Sequence, residues 1–321
     1  MKRAVVIGGS GHVGTYLVPR LVEAGFEVVN VTRGKRDAYQ PHAAWSKVET
    51  VTLNREAEDR AGTFGAKISD LRPDLVIDMI CFTLPSAQLL VDALRGRVEH
   101  FLHTGTIWVH GPSVAVPTPE TAARRPFGDY GTQKAAIEAY LLHEAQRNAF
   151  PATIVHPGHI VGPGWAPLNP AGHFDPSVFS TLAQGKELIL PNFGLETVHH
   201  VHADDVAQMF MKAIGNWSLS VGEAYHTVSA QAVTLRGYAE AVASWFGREA
   251  NLSYLPWEQW KQVHGAEIVE QTLDHISRSP NCSIDKAKRH LDYQPRYTSF
   301  EAVREAVDWL IAQGIVTRGQ A

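Results

Sequence analysis

The stretch Val5–Gly14, VVIGGSGHVG, constrains this chain more than any other. An apolar run, Ala4 to Ile7, breaks into Gly8, Gly9, Ser10 and Gly11, then reaches Gly14 and an amphipathic segment from Thr15. Such a pattern reads as a buried strand, a tight turn and a helix start. Gly8, Gly11 and Gly14 fall in a G-x-x-G-x-x-G spacing. Gly8 permits the sharp turn, Gly11 lets the backbone approach a pyrophosphate, and Gly14 lets helix and strand pack closely. His12 and Val13 lead into a helix N-terminus whose N–H groups and positive dipole end suit phosphate. The bland alternative is a glycine-rich turn between ordinary elements; the position between a strand and a helix favours the phosphate reading.

The remaining composition narrows the class. The chain has 321 residues, is 45% hydrophobic and 19% charged, and carries a net charge of −4, with no long basic run. That suits a large globular core and disfavours nucleic acid as the main partner, since phosphate backbones need clustered Lys and Arg. Cys81 and Cys282 are the two cysteines, far apart, which fits a reducing, cytoplasmic setting without disulfides. The first apolar run is too short for a secretion signal and is needed as a strand. No stretch approaches the ~20 apolar residues that span a bilayer, so no membrane is expected.

Strand-like apolar runs alternate with helical patterns along the first half. Strands are expected at Val28–Thr32, near Val48–Leu53, at Asp74–Ile80, from His100 to His103 and at Ala152–His156. Helices are expected at 15–24, where Pro19 is awkward, and at 56–71, 85–96 and 131–148. On helix 85–96, Leu89, Leu90, Ala93 and Leu94 are expected on one side. The alternation implies an α/β fold: a Rossmann-type doubly wound parallel sheet with a smaller C-terminal lobe. Residues 157–176 hold five prolines and four glycines and read as a substrate lid. Further helices are expected at 204–215, with Asp204 as N-cap, and at 299–313, with a strand at 224–229. The division expected is 1–156 with 201–230 as the dinucleotide-binding domain, and 157–200 with 231–321 as a smaller substrate lobe. Trp245, Trp257 and Trp260 are expected to fill that lobe's core.

Tyr130-Gly-Thr-Gln-Lys134 supplies the second motif. Spacing i, i+4 puts Tyr130 and Lys134 on one helix face. A phenol titrates near ~10, and a neighbouring ammonium stabilises its anion and brings it toward neutrality. Alone, such a pair is usually a solvated helix contact. Downstream of a glycine turn in an alternating α/β chain, it gains meaning.

On these residues the chain resembles the extended short-chain dehydrogenase/reductases, the branch of NAD-dependent epimerases and dehydratases. GGSGHVG at 8–14 resembles that branch's cofactor turn, and YGTQK at 130–134 its catalytic Tyr and Lys. LHTGTIWVHG at 102–111, HPGHIVGPG at 156–164, HHVHADDVA at 199–207 and the ending at 283–310 continue the likeness. TRG at 32–34 and DMICF at 78–82 also resemble the chloroplast stem-loop RNA-binding relatives. The resemblance implies Tyr130 as acid–base group, Thr106 as the hydroxyl that holds the substrate oxygen, and Lys134 as the residue that tunes Tyr130 and binds a ribose. Thr in place of Ser keeps the hydrogen bond. His110 stands where Tyr is common, and His156 where Arg is common. Ile107 and Trp108 occupy places where sugar-nucleotide dehydratases often carry Asp-Glu, which speaks against dehydration.

Strand two ends in Thr32-Arg33-Gly34-Lys35-Arg36, with no acid before Asp37. Arg33 and Arg36 suit a 2′-phosphate, which favours NADP over NAD; plain surface cations are the alternative. The resemblance places Asn54 against the adenine and Ile80, Cys81, Pro157 and Gly158 along the cofactor. Cys81 is more simply a small buried residue than a reactive one. Thr104, His110, His159, Trp165 and His200 are expected toward the substrate. Sixteen histidines invite a metal reading, but His199, His200 and His202 alternate on a strand and lack convergent partners, so no metal is expected. Their density would suit a polar or anionic substrate. Arg278 lies near where relatives place an Arg against substrate phosphate; a solvated Arg is the simpler reading.

The function expected is an NAD(P)-dependent oxidoreductase or epimerase acting on a hydroxyl or carbonyl of a sugar-like or other small polar substrate. A homodimer through the helix bearing Tyr130 and its predecessor is one assembly the resemblance implies. The alternatives are a non-catalytic dinucleotide-sensing regulator and an RNA-binding relative. Retention of Tyr130, Lys134 and Thr106 favours the enzyme.

Overall fold

The computed structural model describes residues 1–319. Six strands of the main sheet come in order: β1 (Arg3–Ile7), β2 (Glu27–Thr32), β3 (Glu49–Thr52), β4 (Leu75–Asp78), β5 (His100–Thr104) and β6 (Ala152–Pro157). Short strands follow: β7 (His159–Val161), β8 (Leu188–Pro191), β9 (Thr197–Val198) and β10 (His200–His202). The last are β11 (Ala224–Thr227), β12 (Val233–Thr234) and β13 (Leu252–Leu255). The main sheet is seven-stranded, ordered β11-β6-β5-β4-β1-β2-β3, and every pairing in it is parallel. The buried runs of β1, β4 and β5 are what a sheet covered on both faces requires. Strand order reverses between β1 and β4, which opens a crevice at the carboxyl ends of the strands.

Two cores cover the faces. One packs β1, β4 and β5 side chains against helices Gly14–Glu23 and Ala203–Gly215; the other packs them against Phe64, Leu90, Leu94, Ile137 and Leu141. A third core joins Val161 through Val198 to Leu235, Tyr238, Val242, Val303, Val307 and Leu310. Trp260 is fully buried, and Trp245 and Trp257 pack partly buried on this third core. Residues Cys282–Tyr293 join the sheet side, because helix Asp285–Leu291 lies against β11.

Several local expectations are corrected. The helix expected over 56–71 is two, Arg55–Arg60 and Phe64–Asp70, broken where Gly62 takes φ +68°. Helix Gly14–Glu23 runs through Pro19. On helix Leu84–Leu94, Leu90, Val91 and Leu94 face inward while Leu89 is exposed. His202, not Asp204, caps helix Ala203–Gly215: its Nδ1 accepts the Asp204 N–H at 3.0 Å. Asp204 and Asp205 instead occupy the first turn and fix Arg20 and the 296–297 backbone. Among the described residues, no helix is long and apolar enough to cross a membrane.

Candidate active site

The site lies where β1, β4, β5 and β6 end together. After β1 the chain turns at Gly8, whose φ of +93° suits glycine. A Cβ on Gly14 would lie 2.0 Å from the Gly9 carbonyl oxygen, so helix and turn meet too closely for any side chain. No side chain caps the helix at Val13. A helix start built of glycine and left without a side-chain cap is a cradle for an anion. Ile80, just past β4, packs on this turn and would be 2.8 Å from a Cβ at Gly8. Beside the turn, a cleft of about 560 Å³ is lined by Ser10, Asn30, Thr32, Gly34, Arg36 and Asp37. Turn, cleft and cations fit the pyrophosphate and ribose end of a dinucleotide.

Over the turn sits a small ring cluster. His12 stacks on Trp165 at 3.6 Å between centroids, and its Nε2 lies 3.0 Å from the Tyr39 hydroxyl. Arg36 donates to that same hydroxyl. Trp165 thus packs on the cofactor turn, where its indole finds a flat partner, and its Nε1 donates to the Ile160 carbonyl. The Asn54 amide oxygen accepts the Ala57 N–H and caps helix Arg55–Arg60.

Tyr130 stands in the first turn of helix Gly128–Arg147. Its ring is 41% exposed and meets the Trp108 indole edge-on, with centroids 5.6 Å apart and an interplanar angle of 86°. Desolvation by its neighbours pushes the phenol's pKa up, while Thr106 and Arg278 pull it down. Lys134 is buried one helical turn further on, its ammonium 5.8 Å from the Tyr130 ring centroid. That ammonium donates to the carbonyl oxygens of Cys81 at 2.8 Å and Thr104 at 2.6 Å. Burial pulls Lys134 down to about 8. Cys81 is wholly buried, and burial raises its thiol to about 11, so its backbone carbonyl rather than its sulfur serves the site. The Thr104 hydroxyl is buried without a partner among the described residues.

Thr106 caps a short helical turn, its hydroxyl accepting the Trp108 N–H at 3.3 Å. Its own N–H donates to His156 Nδ1 at 2.9 Å. An acceptor Nδ1 places the imidazole proton on Nε2, which lies 3.1 Å from Glu138 Oε1. Arg124 pairs with the same carboxylate. Burial opposes the Glu138 charge, but His156 and Arg124 hold its carboxyl well below the usual range. Gly105 admits this arrangement, since a Cβ there would lie 2.3 Å from His156 Nδ1. Sequence reading missed Glu138 and Arg124; Glu138 gave only a charge at helical spacing from Lys134, which usually marks a solvated face, and Arg124, ahead of the helix, gave no signal.

Of the other histidines expected toward the substrate, two are buried. His110 is buried under the site, with its Nε2 2.8 Å from His226 Nε2. His226 Nδ1 faces the Ser283 carbonyl, so its Nε2 accepts and His110 donates. His200 is fully buried, its Nε2 bonded to the Leu168 carbonyl. His159 does stay beside the site, 5.2 Å from His275 and 6.3 Å from Trp108 between ring centroids. Burial keeps His159, His200 and His275 toward the neutral form. Pro157 ends β6, and Gly158, the next residue, passes close under the His199 carbonyl. Among the described residues, no three His, Cys, Asp or Glu side chains gather into a metal-holding group. Arg278 is neither solvated nor free: it is 2% exposed and stacked between Trp108 and Phe127.

A parallel sheet, a glycine turn at its first strand and a Tyr-x-x-x-Lys helix define a class, and comparison with known proteins bears this out. Residues 4–82 and 83–226 match the NAD dependent epimerase/dehydratase family, and the chain belongs to it. It is an NAD(P)-dependent enzyme of the extended short-chain dehydrogenase/reductase type. The 2′-dehydrokanamycin reductase of Streptomyces kanamyceticus is 28% identical over 316 residues, covering 98% of this chain and 86% of that one. UDP-glucose 4-epimerase of Thermotoga maritima, solved with UDP-glucose, superposes with a TM-score of 0.73 at 19% identity, covering 97% of this chain and 99% of that one. A dTDP-glucose 4,6-dehydratase from Bacillus anthracis in complex with NAD superposes with a TM-score of 0.74 at 16% identity, covering 97% of each.

Proposed function

We propose that this enzyme is an NAD(P)-dependent oxidoreductase or epimerase acting on a hydroxyl or carbonyl of a sugar-like or other small polar substrate. The observation that carries the reading is the convergence of Tyr130, Thr106 and Lys134 beside the glycine turn. The nicotinamide, when bound, supplies the hydride acceptor or donor. Gly8, Gly11, His12, Val13 and Gly14 are assigned to its pyrophosphate, and Lys134 to a ribose hydroxyl. Arg33 and Arg36 follow β2, where a 2′-phosphate would lie, and favour NADP. Tyr130 takes the proton from a substrate hydroxyl on oxidation and returns it to the carbonyl on reduction. Thr106 donates a hydrogen bond to that oxygen and shares its developing charge.

The test is Tyr130→Phe, assayed as loss of reduced-nicotinamide absorbance against a panel of keto sugars. Turnover on any accepted substrate falls by about a hundredfold or more, while dinucleotide affinity holds. Unchanged turnover would remove Tyr130 from the mechanism. Direct release of the altered product marks a reductase, and retention of a tightly bound dinucleotide marks an epimerase.

A further inference from the structure

A phenol that gives and takes a proton needs a fixed positive charge beside it. Lys134 is the expected source, but its ammonium is held by the carbonyl oxygens of Cys81 and Thr104. A second cation reaches the Tyr130 turn from the opposite lobe. Arg278 follows helix Ala266–Ile276, and its guanidinium carbon lies 3.7 Å from the Trp108 ring centroid and 3.9 Å from that of Phe127. Nη2 donates to the Phe127 carbonyl at 3.0 Å, the residue just before the helix that carries Tyr130. Side chains on Gly128 and Gly131 would come within 3.8 and 3.9 Å of the same nitrogen. The guanidinium thus lies on the first helical turn and over the Trp108 ring, which in turn meets Tyr130 in a T-shaped contact. Nη1 is held by Asp274, whose side chain is 48% exposed, and Nε is buried without a partner among the described residues. The neighbouring His275 is held toward its neutral form by burial.

We propose that Arg278 is a positioning residue for Tyr130, its caged guanidinium supplying the fixed charge that stabilises the phenolate and pinning the turn that presents it. This rests on Tyr130 being the acid–base group. Arg278 takes no proton itself, since a guanidinium stays charged throughout. The phenolic proton passes only between Tyr130 and the substrate oxygen. An aromatic cage suits this task, because it keeps water from screening the charge while the ring faces favour a cation.

The experiment needs no substrate. A fluorotyrosine incorporated at position 130 lowers the phenol's titration into an accessible range, and its ¹⁹F resonance reads that residue alone. In Arg278→Gln, which keeps a donor for Phe127 but no charge, the midpoint rises by about one unit or more. In Arg278→Lys it rises less, because the charge is retained. An unchanged midpoint in folded Arg278→Gln overturns the proposal. Should that variant fail to fold, the intact chain decides: the ¹⁵Nε resonance of Arg278 shifts as Tyr130 ionises and is still in Tyr130→Phe. No response in the intact chain also overturns it. If instead Tyr130→Phe keeps full turnover while this coupling is present, the acid–base reading falls and the electrostatic pairing stands.

Discussion

The backbone N–H of Thr106 donates to Nδ1 of His156, 2.9 Å away and wholly buried. The imidazole is clamped from behind by Glu138, and Glu138 by Arg124. A chain of three side chains therefore sets the backbone of the residue assigned to hold the substrate oxygen. Charge pairs His156 with Glu138 and Glu138 with Arg124, and such a buried chain favours one geometry for the residue at its end.

Removing His156 breaks that chain at its centre. His156→Ala leaves the Thr106 N–H unpaired, opens a cavity, and takes one partner from a buried carboxylate. The expected loss is about 3 kcal/mol of unfolding free energy, read by urea denaturation. A loss within experimental error would show that Thr106 is held by the sheet alone.

Acid should destabilise the fold well above the carboxylate range. Burial holds His100, His110, His199 and His200 neutral, each down to about 4. Unfolded, each titrates near 6.5. Between those values the unfolded chain binds more protons, so stability is full above pH 6.5 and falls as pH drops toward 4. Thermal unfolding from pH 7.5 to 5 should show a steadily falling midpoint. A flat midpoint over that range would contradict the neutral buried imidazoles.

Cofactor choice is testable at the exposed end of β2. Arg33→Ala should weaken NADP by about tenfold, the cost of one charge-assisted contact, and leave NAD nearly unchanged. Isothermal titration with both dinucleotides gives the ratio. Equal losses would remove the 2′-phosphate argument.

The stack of His12 on Trp165 closes over the glycine turn. We expect a dinucleotide entering the cradle to displace this stack. Trp165→Ala should speed both association and release of the cofactor in stopped-flow fluorescence, with a smaller change in affinity. Unaltered rates would show that the rings do not stand in the path.

Much of this enzyme was legible along the chain. The glycine spacing at Gly8–Gly14, the alternation of apolar runs and the Tyr130–Lys134 interval are local patterns, set by backbone sterics and by helix and strand periodicity. They determined the parallel sheet, the phosphate cradle and the pair of residues on one helix face. Partners drawn from distant segments left no such trace. That His110 pairs with His226, that His156 meets Glu138, and that Arg278 crosses to Trp108 were decided by tertiary packing. A lone histidine or arginine in a sequence carries no record of what will bury it. Burial chooses its partner, its tautomer and its charge, and here it set His156 against the Thr106 N–H and Arg278 against the Phe127 carbonyl that precedes the helix of Tyr130.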